Sequence, residues 1–461
     1  MHYNNGMIAI KKNKVSILRT GIVLLFCLLS FLGLQKHFLW GDEAETALFA
    51  RNILLSGIPK GWDGVNIMGL YNGTVLNEKL VNTTTPWAQY YAVAAAFKLF
   101  GESYQTARLP FYIFSLLSLV CFYYLGRHVL GKEKVVLVGL LILATSVPFI
   151  MYSYQSRYYA IATFSGIFLL YRFFIADKQW SLKNILCISA AGILFFHAHY
   201  LSFAAFYFAC SIGIMMFSQN RKLLFGQIAV SSGIILLFTV PWIYFNSPHL
   251  GQSSALFINL KIKNGTELFL RYLSDLNEEA ALPILFIPIY IWVASWQHSK
   301  ITSYRIKICA AVYFLYLFFL SLLSPQRIDI TPVSYVRYAI NIYPVGVLLI
   351  AYALYQVYLK HKIVGILLCL ITIFTNAMTM QMPPKYWLFS YLDEISNNNY
   401  QTSTEAVTSF LKDKITPGDQ VFVTPDYNVE PLQFYFDKKI TFINRISPRN
   451  SRILNSNNSF L

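Results

Sequence analysis

The sequence Trp40-Gly41-Asp42-Glu43-Ala44-Glu45 directly follows an apolar run that begins at Gly21. That run is long enough to cross a bilayer whose hydrocarbon core is about 30 Å thick. Three carboxylates therefore lie where a membrane helix ends and water begins, and charged groups held there usually belong to a functional site. Residues 46–54 carry apolar side chains at helical spacing, and Ser56-Gly57 ends the pattern. We predict that the loop 40–86 carries the active site.

The composition indicates a polytopic α-helical membrane protein. The chain has 461 residues, of which 56% are hydrophobic and only 13% are charged, and soluble proteins do not need that balance. The formal net charge of +16 could suggest nucleic acid as a partner. The basic residues recur in small groups between apolar runs, however, as in cytoplasmic loops, so we expect no nucleic-acid partner. All six cysteines lie inside apolar runs, which predicts neither disulfides nor a cysteine metal site.

The alternation of basic groups and apolar runs predicts eleven membrane spans in a plasma-membrane protein. Four basic residues between positions 11 and 19 place the N-terminus in the cytoplasm. No small-residue cleavage site precedes Trp40, so we interpret the first run as an anchor rather than a signal peptide. Residues 87–100 are too few to span and should form a helix at the outer surface. Residues 184–217 are too many for one span and should divide at His197-Ala198-His199-Tyr200.

The two sides of the predicted membrane differ in acidic residues. Of the 21 acidic residues, only Glu133 and Asp177 would lie inside, which suits a solvated outer surface around a site. We divide the chain into a transmembrane catalytic domain, residues 1–381, and a small extracytoplasmic C-terminal region, residues 382–461. From Thr404 onward this region is soluble in composition, with one helix and short strands at 421–423 and 434–436. It should form an α/β appendage.

Carboxylates in the loop 40–86 are the first candidates for chemistry. Asp42 and Glu43 could instead solvate or cap the helix that follows, but capping needs only one of them. Glu78-Lys79 precedes the return to the membrane. A carboxylate beside a cation suits metal or phosphate binding, although a loop ion pair would explain it equally well.

Cationic and aromatic residues head later spans on the outer side. Arg157-Tyr158 and Arg337-Tyr338 repeat one arrangement, in which an arginine beside a tyrosine begins an apolar span. The alternative to anion binding is that each arginine extends to the membrane interface. His197 and His199 could ligate a metal in an extended segment, or one of them could contact an anion or an acceptor.

Several of these segments together resemble a known family. They are Asp42-Glu43-Ala44, Phe49-Ala50-Arg51-Asn52-Ile53-Leu54, Ser56-Gly57-Ile58-Pro59, Trp87-Ala88-Gln89-Tyr90-Tyr91, Phe97-Lys98-Leu99-Phe100-Gly101-Glu102, Ala107-Arg108-Leu109-Pro110, Gln155-Ser156-Arg157-Tyr158-Tyr159 and Arg337-Tyr338. The sequence resembles the GT-C glycosyltransferases, in particular family 39 and its relatives, which include protein O-mannosyltransferases and the aminoarabinose transferase of lipid A. Many relatives have Lys-Pro-Pro-Leu where this chain has Lys79-Leu80-Val81.

The resemblance implies transfer of one sugar from a polyprenyl-phosphate carrier to an acceptor hydroxyl at the outer face, with inversion. The acceptor would be a glycan, a lipid or a protein. A carboxylate can serve as general base for that hydroxyl, and cations must meet the charge that develops on the phosphate. We therefore expect Asp42 to be the base and Glu43 to orient the site or support acceptor binding.

The remaining candidates follow from the same reaction. We expect the carrier phosphate or the substrate to be bound by Arg157, Tyr158, Arg337, Lys79 and His199. A divalent metal ion is the only cofactor considered, with Glu78 and His197 as its candidate ligands.

We weigh three alternative functions against glycosyl transfer. A transporter or lipid flippase would place charges near mid-membrane, often in repeated halves, whereas here the charges lie at one face and no repeat is seen. A scaffold that binds partners through its C-terminal region would leave the outer carboxylates unexplained. A glycan polymerase or ligase of related fold stays open.

Overall fold

The chain is mostly helical, and its structure is a computed structural model. The structure describes residues 2–35, 38–68, 76–246, 262–278, 300–324, 336–375, 388–397, 402–424, 429–436 and 440–443. The helices of the N-terminal half are α1 (His2–Leu34), α2 (Gly41–Ser56), α3 (Ala88–Phe100), α4 (Tyr104–Leu130), α5 (Glu133–Thr145), α6 (Val147–Tyr154), α7 (Tyr159–Ala176), α8 (Leu182–Ala198), α9 (Tyr200–Phe217) and α10 (Arg221–Asn246).

The C-terminal half adds eight helices and a two-stranded parallel sheet within the described residues. The elements are α11 (Ile262–Glu278), α12 (Lys300–Leu323), α13 (Val336–Ala339), a 3₁₀ turn (Ile340–Ile342), α14 (Tyr343–Lys360), α15 (Lys362–Phe374), α16 (Leu388–Asn397), α17 (Ser403–Lys412), β1 (Gln420–Phe422), α18 (Val429–Tyr435) and β2 (Thr441–Ile443).

The membrane class predicted from the composition is confirmed. Seven segments among the described residues are long and apolar enough to cross a membrane, or eight if the pair α5 and α6, bent by 63°, forms one span. The helices α8 and α15 are apolar but shorter. The span predicted before Lys300 falls mainly outside the described residues. The total of eleven spans therefore stays a prediction.

The segment around His199 divides as predicted. Helix α8 ends at Ala198 and α9 begins at Tyr200, with extended backbone at His199 between them. The His199 Nδ1 accepts the backbone N–H of Ser202 at 3.1 Å and so caps α9. The short helix predicted after Trp87 is α3, which has 13 residues.

Helix α2 is buried on most of its surface rather than on one face. Glu43 and Glu45 are both buried, as are Phe49 and Asn52. The cause is that α3 covers one side of α2 and α18, from the far end of the chain, covers another. Gly57 ends α2 with φ 76° and donates its N–H to Ile53, because glycine adopts left-handed backbone without steric cost.

The C-terminal region contains one predicted strand and lacks the other. The strand predicted at 421–423 corresponds to β1, but the strand predicted at 434–436 is wrong, because 429–435 form α18. Pro431 lies in the first turn of α18, where its missing N–H costs no hydrogen bond. The three consecutive aromatic side chains that suggested a strand have different neighbours. Tyr435 stacks on Phe38 at 4.1 Å, Phe434 lies under the Arg51 guanidinium and Phe436 packs on Phe442. The strand that pairs with β1 is instead β2.

Candidate active site

The carboxylates Asp42 and Glu43 occupy the first turn of α2. Its N-cap residue is Trp40, whose side chain makes no capping hydrogen bond, so neither carboxylate is the N-cap. The first turn is nevertheless a favourable place for negative charge, because unpaired backbone N–H groups point there. Successive side chains on a helix diverge by about 100°. Asp42 and Glu43 therefore face different surroundings.

Glu43 forms a buried bidentate ion pair with Arg108 of α4. Its Oε1 accepts from Arg108 Nε at 2.9 Å and its Oε2 from Nη2 at 2.6 Å. Glu43 Oε1 also accepts the backbone N–H of Ser156 at 2.9 Å. Arg108 donates further to the carbonyls of Leu34 at 3.3 Å and Phe38 at 3.4 Å. This pair joins α1, α2, α4 and the α6–α7 connection, and both carboxylate oxygens of Glu43 are hydrogen-bonded.

Asp42 lies beside Arg157, in a looser arrangement. The Arg157 Nε is 3.4 Å from Asp42 Oδ2, and its Nη1 is 3.0 Å from Glu45 Oε2. The Arg157 Nη1 is also 3.5 Å from the Thr46 hydroxyl. The Asp42 side chain is 18% exposed, against 1% for Glu43. Asp42 is thus the most accessible of the carboxylates Asp42, Glu43 and Glu45.

Buried polar atoms next to this ion pair have no hydrogen-bond partner in the described part of the chain. They are Arg157 Nε, Gln155 Oε1, the Tyr158 hydroxyl and Arg337 Nε. A buried polar group without a partner is costly, by about 1–3 kcal/mol. A bound polar ligand would supply the missing hydrogen bonds. We call Asp42, Glu45, Arg157, Tyr158 and Arg337 the Asp42 group.

Arg337 enters the Asp42 group from the start of α13. The Asp42 carboxylate and the Tyr158 and Tyr159 rings act on it electrostatically. Its guanidinium lies 4.8 Å from the centroid of the Tyr338 ring. In contrast to Arg157, Arg337 has no carboxylate within ion-pair distance among the described residues. Its positive charge is the less neutralised of the two.

His199 borders the Asp42 group as a neutral ring. It stacks on Tyr158 with the ring centroids 4.2 Å apart. Burial, together with the nearby positive charge of Arg157, lowers the pKa of His199 to about 3. At neutral pH, His199 therefore offers a hydrogen bond rather than a positive charge.

The other candidates predicted from the sequence lie elsewhere. Glu78 and Lys79 are exposed in a turn in which Asn77 Oδ1 accepts the backbone N–H groups of Lys79 and Val81, each at 3.0 Å. The His197 ring packs on Phe196 and on Trp242. Among the described residues, no group of three or more His, Cys, Asp or Glu side chains could hold a metal ion.

Sequence reasoning assigned no role to three residues that the structure brings to this region. Arg108 belongs to one of the segments that resemble the GT-C family, and Glu45 is the third carboxylate of the opening motif. Their partners could not be inferred, because each depends on how distant helices pack. Glu430 of α18 carried no sequence signal. It is buried, with 3% of its surface exposed, and its Oε2 has no hydrogen-bond partner among the described residues.

The environment of Glu430 connects it to the Asp42 group. Burial, with a further contribution from the neighbouring charges of Glu45 and Asp42, raises the pKa of the Glu430 carboxyl to about 8. Its own backbone N–H and the Arg157 charge act in the opposite direction. The net effect leaves Glu430 mainly protonated at pH 7.

Fold and site together describe a multi-pass helical membrane protein with a buried cluster of acidic and basic residues at the start of α2. No family model matches the sequence, and no curated protein sequence matches it. Solved structures do match. The chain is similar to ArnT from Cupriavidus metallidurans bound to undecaprenyl phosphate, with TM-score 0.64, 13% identity, and coverage of 96% of this chain and 88% of that chain.

A second solved structure extends the comparison. AglB, an archaeal oligosaccharyltransferase from Archaeoglobus fulgidus in complex with an inhibitory peptide and a dolichol-phosphate, matches with TM-score 0.54 and 11% identity over 93% of this chain and 64% of that chain. At these identities the similarity establishes the fold. The chain has the GT-C membrane fold, as its sequence motifs suggested.

Proposed function

We propose that the protein is a glycosyltransferase that moves one sugar from a polyprenyl-phosphate carrier to an acceptor hydroxyl. The observation that carries the proposal is the Asp42 group itself. A partly exposed carboxylate lies 3.4 Å from a buried arginine whose Nε has no hydrogen-bond partner in the described part of the chain. The two GT-C-fold structures described above were solved with polyprenyl-type phosphates bound, which supports the choice of carrier.

Asp42 is the general base in this proposal. Its carboxylate takes the proton of the acceptor hydroxyl as that oxygen attacks C1 of the sugar. The bond between C1 and the phosphate oxygen breaks, and its electron pair leaves with the polyprenyl phosphate. Because the attack and the departure occur on opposite faces of C1, the product has inverted configuration.

The cations of the group serve the leaving phosphate. Asp42 and Glu45 already balance the charge of Arg157, so we assign the carrier phosphate mainly to Arg337. Preorganised cations in a dry site stabilise developing negative charge well, because they need no rearrangement during the reaction. Tyr158 and neutral His199 are proposed to donate hydrogen bonds to the same substrate. Lys79, exposed on its turn, is a weaker candidate for this role.

Glu43 has an orienting role in this account. Its pairing with Arg108 and with the backbone of Ser156 fixes the start of α2 against the α6–α7 connection, which carries Arg157. Asp42 and Arg157 would therefore keep their relative positions through the Glu43 pair.

We place this site at the extracytoplasmic face of the plasma membrane. The basis is the distribution of basic loops along the sequence. The acceptor would be a glycan, a lipid or a protein at that face. The isoprenoid tail of the carrier would stay in the bilayer, which suits a site at the end of a membrane helix.

The test is transfer by the purified protein in liposomes. Polyprenyl-phosphate hexoses and pentoses, labelled in the sugar, are supplied with glycan, lipid and peptide acceptors. We expect label on one acceptor class, one free polyprenyl phosphate per sugar transferred, and an inverted anomeric centre by NMR. Assays with and without added Mg²⁺ or Mn²⁺ measure any metal requirement. Assays in right-side-out vesicles test on which side of the membrane transfer occurs. Carrier that crosses the bilayer without covalent transfer would indicate a flippase, and chain extension would indicate a polymerase.

A further inference from the structure

The C-terminal region is bound directly to the elements that form the proposed active site. Arg51 of α2 donates from Nη2 to the Phe434 carbonyl at 3.1 Å and lies over the Phe434 ring at 5.1 Å. The Tyr435 hydroxyl accepts the backbone N–H of Leu39 at 2.8 Å, just before α2. Helix α18 therefore contacts the segment just before α2 and the second half of α2 itself.

The loop 40–86 makes a second set of bonds to the same region. Asn66 donates from Nδ2 to the Ile440 carbonyl at 3.0 Å and accepts the backbone N–H of Phe442 at 2.8 Å. Gln433 Nε2 donates to the Ile67 carbonyl at 2.9 Å. These contacts join residues more than 360 positions apart in sequence. They attach α18 and β2 to the loop 40–86.

Glu430 is a buried carboxyl group of α18 at the interface with α2. Glu45, Asp42 and Arg157 all act on it electrostatically. Its Oε2 is buried and has no hydrogen-bond partner in the described part of the chain. Glu430 therefore keeps an unfilled hydrogen-bonding position at the interface between α18 and α2, the helix that carries the proposed base.

Two features of this position restrict the ligand. The carboxylates of Glu45 and Asp42 both act electrostatically on Glu430, and each has a larger effect than the opposing charge of Arg157. A phosphate beside Glu430 would be repelled by both carboxylates, so a neutral hydroxyl is the better partner. A protonated carboxyl offers an O–H donor, and a carboxylate offers only acceptors.

We propose, on the basis of the glycosyl transfer described above, that Glu430 is a substrate-contacting residue of the site. In its protonated form it donates a hydrogen bond to a hydroxyl of the bound sugar. The C-terminal region is then part of the active site rather than an appendage, and α18 supplies one wall of the sugar pocket.

Ionisation of Glu430 has a predictable sign in this proposal. Above its pKa the O–H donor is lost and a third carboxylate faces the sugar, so sugar binding should weaken as the pH rises through about 8. The charged or titratable side chains on the elements around it are Asp42, Glu43, Glu45 and Arg51 of α2, Arg157 of the α6–α7 connection, Glu405 and Lys412 of α17, and Tyr435 of α18 itself. Strand β2 contributes none. A Gln at position 430 keeps an N–H donor and cannot ionise.

The experiment compares binding of a polyprenyl-phosphate sugar with binding of the bare polyprenyl phosphate, at pH 6.5 to 9. The variants are Glu430→Gln and Glu430→Leu, in the full-length protein. The matched control is Gln433→Leu, which removes a docking bond on the same helix. We expect the parent to bind the sugar-loaded carrier about tenfold more tightly at pH 7, the scale of one good hydrogen bond, and to lose this preference above pH 8. Glu430→Gln should keep the preference at every pH, and Glu430→Leu should lack it.

The outcomes separate this inference from the proposed function. If Glu430→Leu keeps the preference and the pH dependence of the parent, the inference is wrong. If Gln433→Leu loses the preference as Glu430→Leu does, α18 acts only by docking, which also overturns it. A parent that shows the preference but transfers no sugar would contradict the glycosyltransferase proposal and leave Glu430 a sugar contact. A parent that binds neither ligand contradicts both. If Glu430→Leu fails to fold, the inference is tested by the pH profiles of Glu430→Gln and the parent. Identical profiles would contradict it.

Discussion

Two adjacent carboxylates at the start of α2 meet two arginines in different ways. Glu43 and Arg108 form a bidentate pair at 2.6 and 2.9 Å, and their side chains are 1% and 4% exposed. Asp42 approaches Arg157 only to 3.4 Å and is 18% exposed. The first pair has its hydrogen-bonding capacity filled by the protein, whereas the second leaves part of that capacity unfilled.

The difference shows how similar residue types divide structure from chemistry. A buried ion pair is tolerated when hydrogen bonds satisfy both partners, and removal of either one then leaves a costly unpaired charge. The Glu43 pair meets that condition. The Asp42 pair does not, since the Arg157 Nε lacks a hydrogen-bond partner in the described part of the chain. We interpret the Glu43 pair as the frame and the Asp42 pair as the place of reaction.

The largest effect on stability is expected at the Glu43 pair. Arg108→Met leaves the Glu43 carboxylate buried without its cation, which should lower the free energy of unfolding by roughly 3–5 kcal/mol. In the double variant Glu43→Gln with Arg108→Met, no buried charge remains and Gln can still accept the Ser156 N–H, so most of the loss should be recovered. Thermal unfolding in detergent measures both. Equal losses in the single and double variants would show that the pair is not what stabilises this region.

A smaller effect, confined to carrier binding, is expected at Arg337. Arg337→Ala should weaken polyprenyl-phosphate binding by about 1.5–3 kcal/mol, the value of a hydrogen bond to a charged group, with unfolding unchanged. Arg337→Lys should restore only part of the binding affinity, because lysine lacks the planar bidentate donor. Lys79→Ala is the comparison, since Lys79 is exposed on its turn. A larger loss in Lys79→Ala than in Arg337→Ala would move the phosphate site to the loop 40–86.

Much of the fold could be predicted from the sequence, because a membrane helix is specified by the residues within it and next to it. The division at His199, the short helix after Trp87 and the membrane class each depend on run length and on nearby residues. The strand predicted at 434–436 was wrong because short aromatic segments have no decisive period. The segment is helical up to Tyr435, which packs on Phe38.

The site was predictable only in part, for a related reason. Asp42 and Arg157 could be named because each flanks an apolar run. That Glu43 pairs with Arg108, 65 positions away, depends on the packing of α2 against α4. Glu430 is more than 370 positions from α2 along the chain and belongs to a segment of ordinary composition. Only the folded chain brings it to Glu45 and Asp42.

The most direct test of the account compares Asp42→Asn with Glu43→Gln in two measurements on the same preparations. One is the single-turnover rate of sugar transfer per folded molecule, and the other is the midpoint of thermal unfolding. Asp63→Asn is the control, because Asp63 Oδ1 caps a turn by accepting the Val65 and Asn66 N–H groups, which Asn can also do.

The account predicts opposite results for the two neighbours. Asp42→Asn should transfer at least about 10²-fold more slowly, the usual scale for a positioned base, and unfold near the parent temperature. Glu43→Gln should unfold at a clearly lower temperature while its folded fraction keeps a rate within about tenfold of the parent. If Asp42→Asn transfers at the parent rate, or if Glu43→Gln is as slow as Asp42→Asn with unchanged unfolding, the division between frame and reaction is wrong.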